Sequence, residues 1–196
     1  MVTRAQQYDG IATLLNYPGA DYRGSVRRTR EQLAASCPEA GTRLARFEEH
    51  VKDLDIVAIE ELFTRTFDLN PDCCPEIGWH LFGERYARGS LLVWMRAQLR
   101  SLGVEETQEL PDHIAHVLRA LARMEGEEAK RFATEAVEPA LERMITSLET
   151  KNNPYRDLLQ AAQELLVTDH GPPVPRTVGG QATPLDAPVQ NPGSGV

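Results

Sequence analysis

Long apolar runs are missing from this chain. The longest, such as Leu91-Leu92-Val93-Trp94-Met95, fall far short of the roughly 20 residues that a membrane-spanning helix needs. The N-terminus, Met1-Val2-Thr3-Arg4-Ala5-Gln6-Gln7, carries neither the apolar segment nor the small-residue cleavage site of a secretory signal. Cysteine is scarce. There are three, Cys37, Cys73 and Cys74, and the odd count with an adjacent pair disfavours a disulfide framework. Together these absences predict a cytoplasmic protein with no stable membrane insertion.

Positive charge is also in deficit: 21 Lys and Arg stand against 29 Asp and Glu, for a net charge of −8. Proteins that grip a phosphate backbone need a basic stripe. The only dense basic run, from Arg23 to Arg30, reads as a solvated helix face, so nucleic acid is not an expected partner.

Catalytic signatures are absent as well. The chain has no G-x-S-x-G elbow, no P-loop, no dinucleotide fingerprint and no H-E-x-x-H. Its carboxylates fall at polar helix positions, and no nucleophile has an evident base. Cys73, Cys74 and His80 are close in sequence, as are His113 and His116, but neither group has the paired C-x₂₋₄-C type spacing of a structural zinc site. Neither an enzyme nor a metal or cofactor carrier is expected. By helical phase His116 should point to solvent, nearly opposite Ile114, with His113 on the flank.

What the chain does have is helical periodicity. A hydrophobic fraction of 41% over 196 residues suits one core. The pattern predicts an all-α fold of about eight helices in a single domain over residues 1–168. The first covers Thr3 to Tyr17, where Pro18-Gly19 stops it. Asp21 is placed to cap the second, which ends before Cys37-Pro38, and a third presents Leu44, Phe47 and Val51. The fourth is capped by Asp55 and carries Ile59, Leu62, Phe63, Thr66 and Phe67 at helical spacing. A longer region from Glu76 to Leu102 contains Gly83 and Gly89, which predict a kink, a break or a close approach. Asp112 is expected to cap the next helix. Another runs from Glu127 to Thr150 with Pro139 bending or dividing it, and the last runs from Pro154 to Val167. From Asp169 to Val196 Pro and Gly dominate and large apolar residues nearly vanish, which predicts a disordered tail.

Two clusters invite a binding role, each with a plainer alternative. Asp112 and His113 either cap and fill a first helical turn or form a polar pair at the mouth of a groove. Trp79, Phe82 and Tyr86 recur at i, i+3 and i+7. On one continuous helix they share a face, which is either core or the wall of a groove for an amphipathic peptide.

Three segments also resemble a known family. Glu61-Leu62-Phe63-Thr64-Arg65-Thr66-Phe67-Asp68 is similar to its Thr-x-Thr-Phe-Asp helix end. Gly78-Trp79-His80-Leu81-Phe82-Gly83, followed by Arg88-Gly89, is similar to its His-Leu-(Phe/Tyr)-Gly segment and Arg-Gly pair, and Glu109-Leu110-Pro111-Asp112-His113 to its Glu-x-Pro-Asp-His signature. The family is the TorD/DmsD/NarJ group of redox enzyme maturation proteins, nearest its NarJ (nitrate reductase delta subunit) branch. The resemblance implies an all-helical chaperone that binds the N-terminal segment of a molybdoenzyme catalytic subunit, foremost that of a respiratory nitrate reductase. It implies support of molybdenum cofactor insertion before membrane docking, with cofactor-insertion proteins as further partners. It assigns Asp112 and His113 to client binding, while the position and chemistry of Trp79, Phe82 and Tyr86 make them the expected apolar wall. Two other readings stay open: a chaperone for a related chlorate, selenate or dimethyl sulfide oxidoreductase, and a stable helical subunit of the finished reductase.

Overall fold

Thr3 starts the helical run with a reciprocal cap. Its hydroxyl accepts from the Gln6 amide at 3.2 Å, while the Gln6 side chain accepts from the Thr3 amide at 2.8 Å. The computed structural model describes residues 2–173, and within them the chain forms ten α-helices and no strand. These are α1 (Arg4–Leu14), α2 (Tyr22–Ala34), α3 (Pro38–Val51), α4 (Ile56–Phe63), α5 (Ile77–Phe82), α6 (Tyr86–Ser101), α7 (Ile114–Leu121), α8 (Gly126–Phe132), α9 (Glu138–Ser147) and α10 (Tyr155–His170). No helix among them is long and apolar enough to cross a membrane.

The count exceeds the expected eight because two long helices are each divided. Gly83 takes φ +59 and ψ −134, a conformation that excludes a side chain, and it separates α5 from α6. Pro139 has no amide hydrogen and its ring would strike the carbonyl four residues earlier. The chain therefore widens into a π turn over Ala133–Val137 before α9 begins. A second π turn, Thr64–Asp68, follows α4, and a 3₁₀ turn over Pro71–Cys73 leads toward α5. α10 continues past the expected Val167 to His170, so the Pro/Gly-rich stretch is met later than Asp169. Residues 174–196, where most of the expected tail falls, lie outside those described.

The caps divide the same way. Asp55 does cap α4, its carboxylate accepting from the Ala58 amide at 2.8 Å. Asp21 sits at the start of α2 but makes no cap; its carboxylate accepts from Arg28 at 2.7 Å. An arginine two turns along the same helix face takes that carboxylate in place of the backbone.

The core forms around an aromatic cluster. Tyr155, at the start of α10, lies 5.2 Å from Phe47, 4.9 Å from Phe67 and 5.9 Å from Phe63 between ring centroids. Its hydroxyl receives that of Tyr22, which is also directed at the Leu14 carbonyl at 2.8 Å. α10 packs on α3, and α3 on α2, while α7 lies against α1. α7 is buried on nearly every side, including Ile114, Val117, Leu118 and Leu121, as befits a helix that is apolar almost all round.

Candidate functional site

Two of the segments that carry the family resemblance are remote in sequence and adjacent in space. Glu76 and His113 pair as an isolated antiparallel bridge. The Ile77 amide donates to the Asp112 carbonyl at 3.0 Å, and the Ile114 amide donates to the Pro75 carbonyl at 2.8 Å. The entry to α5 is thereby stapled to the entry to α7.

Asp112 is fully buried and is not the cap of its own helix. Its carboxylate accepts from the Gly78 amide at 3.1 Å, in the first turn of α5. Burial raises its pKa, with Arg88 acting in the opposite direction and Glu76 in the same one. His113 takes the N-cap of α7 instead, its Nδ1 accepting from the Ala115 amide at 3.2 Å. That bond requires an unprotonated Nδ1. With only 3% of its surface exposed, the imidazole is held neutral, its pKa pushed down to about 3 by burial, with His116 and Arg119 adding to it. The mouth-of-groove placement is thus corrected: both residues lie in the interior.

His116 also departs from expectation. It is buried, its Nε2 accepting from the Thr107 amide at 3.1 Å and its Nδ1 donating to the Leu110 carbonyl at 2.9 Å. The loop before α7 folds back over the helix and covers a face that would otherwise meet solvent.

Gly78 is required where these segments meet. A Cβ there would stand 2.5 Å from Asp112 Oδ2, 3.0 Å from Leu91 and 3.2 Å from Arg88. Gly78→Ala is therefore expected to cost about 1–3 kcal/mol, the range for overpacking a tight site. Urea unfolding of the variant checks this, and an unchanged midpoint would mean that α5 yields without cost.

A cleft of about 670 Å³ opens beside this junction. Its walls are Trp79 and His80 from α5, Pro71 and Asp72 from the 3₁₀ turn, and Pro139, Glu142 and Arg143 from α9. The volume is in the range of ligand and peptide-anchor pockets. His80 donates through Nε2 to the Cys74 carbonyl at 2.8 Å, and Arg143 donates to the His80 carbonyl. These bonds tie α5 to both other walls. Burial lowers the His80 pKa, so the imidazole presents a neutral surface.

The three aromatic candidates separate. Trp79 is half-buried and lines the cleft. Phe82 is buried at the end of α5, away from the cleft lining. Tyr86 is 92% exposed on α6. The break at Gly83 changes the chain direction, so the i, i+3, i+7 relation no longer gives one face. The third resemblance segment serves the core. The Thr66 hydroxyl donates to the Leu62 carbonyl at 2.6 Å and accepts from Asn153 at 2.7 Å, tying the π turn to the approach of α10. Sequence reasoning missed Glu142 and Arg143, and it gave Pro139 and Arg88 no role at the cleft, the one being a helix break and the other part of the Arg-Gly pair. No local pattern marks these roles, because they come from a packing of α9 and α6 on α5.

Burial pushes both Cys73 and Cys74 thiols up to about 12, so neither is a reactive thiolate. Among the described residues no group of three or more His, Cys, Asp and Glu side chains is disposed to hold a metal ion.

No curated protein matches the chain. The family described as nitrate reductase delta subunit matches residues 30–161, about two thirds of the chain and both segments that meet at the cleft. The chain belongs to the nitrate reductase delta subunit family.

Proposed function

We propose that this protein is a system-specific chaperone that binds the N-terminal segment of a molybdoenzyme catalytic subunit, foremost a respiratory nitrate reductase, and supports molybdenum cofactor insertion before the enzyme docks at the membrane. The observation that carries the reading is the cleft between α5 and α9. It has the volume for a few apolar side chains of an amphipathic helix, and it is walled by one segment of the family signature and braced by another.

Its chemistry favours such a client. Trp79 and Pro139 supply apolar wall, while exposed Asp72 and Glu142 stand at the lip. An apolar helix face would fill the cleft and basic residues beside it would meet the acidic lip. The net charge of −8 would speed that encounter and salt would slow it. Trp79 is the anchor we assign to the client. Asp112 and His113 belong to the same site as its inner frame.

Calorimetric titration with a synthetic peptide of the catalytic subunit's N-terminal segment tests this. Wild type should bind, and Trp79→Ala should bind at least about tenfold more weakly, as expected for a buried tryptophan anchor. Raising the salt should reduce the association rate more than the lifetime of the complex. A folded protein that binds no such peptide at low salt would overturn the reading. It would favour instead a stable helical subunit of the finished reductase, recognisable by stoichiometric recovery with the mature enzyme.

A further inference from the structure

Asp112 touches α5 twice, through its carbonyl under Ile77 and through its carboxylate under Gly78. Glu76 holds the N-cap position of α5 but makes no side-chain cap. The helix that carries Trp79 is therefore capped in trans, by a residue 34 positions away.

The same carboxylate lies 3.7 Å from Arg88 Nε. Arg88 Cζ in turn lies 5.8 Å from the centre of the Trp79 ring, a cation–π distance. Arg88 is thus held between a buried anion on one side and the aromatic wall of the cleft on the other. Gly78 makes the arrangement possible, because the volume of an absent Cβ is shared by Asp112 Oδ2, Leu91 and Arg88.

We propose that Asp112 is a positioning residue for Trp79. It acts through Arg88 to fix the indole against the cleft, and it does not itself meet the client. The geometry supports this over a direct contact, since Asp112 has no exposed surface while Arg88 keeps 23% of its side chain exposed and Trp79 lines the opening. A charge that is buried and opposed by only one long ion pair is costly on its own. Its position is accounted for if it orients a cation whose other face is occupied by the ring. The effect on client affinity rests on the function proposed above; the effect on Trp79 does not.

The chain has two tryptophans, so Trp94→Phe leaves Trp79 as the only one. In that background, Asp112→Asn keeps an oxygen to accept from the Gly78 amide and removes the charge that holds Arg88. Acrylamide quenching of Trp79 should rise about twofold with a red shift of its emission, while far-ultraviolet dichroism is retained. Arg88→Leu should produce the same change. The double variant should produce no more than either single one, because both act on one connection. Binding of the same synthetic N-terminal peptide should weaken about fivefold in each, again without adding.

A residue that merely capped α5 would behave otherwise. Asp112→Asn would leave Trp79 quenching unchanged, or its effect would add to that of Arg88→Leu, and either result overturns the proposal. If Trp79 responds as described but wild type binds no peptide, the positioning role stands and the chaperone reading fails.

Discussion

His113→Asn should make the protein more acid-resistant than wild type by about 3 kcal/mol on going from about pH 7 to about pH 4. The buried imidazole of His113 caps α7 as the neutral species, and its pKa is pushed from 6.5 down to about 3. In the unfolded chain the ring takes up its proton near the ordinary value. The contribution is therefore complete above about 6.5 and is lost as the pH falls toward 3. Asparagine is a strong N-cap with an oxygen to accept from the Ala115 amide, and it has no proton to gain. Near pH 7 the variant should lie within about 1 kcal/mol of wild type, the usual scale of exchanging one cap for another. Urea midpoints of both proteins at pH 7, 5 and 4 measure the divergence. Parallel curves would mean that His113 reaches water or changes its bonding before it is protonated. Burial also lowers the His80 and His170 pKa values, so a shallower acid limb should persist in the variant below about pH 5.

How far this much could be read from the sequence depends on the range of the interaction involved. Helical periodicity and stop signals are local, and they locate α1 and α10 to within a few residues. Pro139 and Gly83 were visible as interruptions, though not the form each takes. A π turn before the proline and a positive φ at the glycine depend on what the flanking helices pack against. The site was legible as parts. Gly78–Gly83 and Glu109–His113 stood out as resemblance segments, but nothing local says that they meet, because the bridge from Glu76 to His113 is a tertiary contact. The misplacement of Asp112 shows why. An Asp after a proline and before an apolar helix reads as that helix's own cap. Here His113 takes that position, and Asp112 caps another helix across the bridge. The phase of α7 alone turns His116 to solvent, yet Thr107 and Leu110 cover it from the preceding loop. Each error came from treating a helix as isolated where a connecting segment packs on it.

Glu138→Met should stabilise the protein by about 3 kcal/mol near pH 8 and by less than about 1 kcal/mol near pH 5. Glu138 begins α9, is fully buried, and neither carboxylate oxygen has a hydrogen-bond partner. Burial, with the neighbouring charge of Glu142 adding to it, raises its pKa from 4.5 to about 7. A carboxyl whose pKa is raised on folding favours the folded state while it is protonated. That advantage is complete below about 4.5 and is lost as the pH rises through 7. Near pH 8 the folded protein carries an unpaired buried charge, and methionine fills similar volume without one. Repacking should cost less than about 1.5 kcal/mol, which sets the margin of the gain. Glu138 and His113 therefore slope in opposite directions. Wild-type stability should change less between pH 7 and 4 than that of either variant, and each substitution should expose the slope of the other group. With Glu138→Met the acid limb of His113 steepens the fall below pH 6. With His113→Asn stability should instead rise as the pH drops toward 5. Thermal midpoints across pH 4 to 8 for wild type and both single variants separate the two contributions. A wild-type curve as steep as that of Glu138→Met would show that Glu138 is ionised and solvated in the native state.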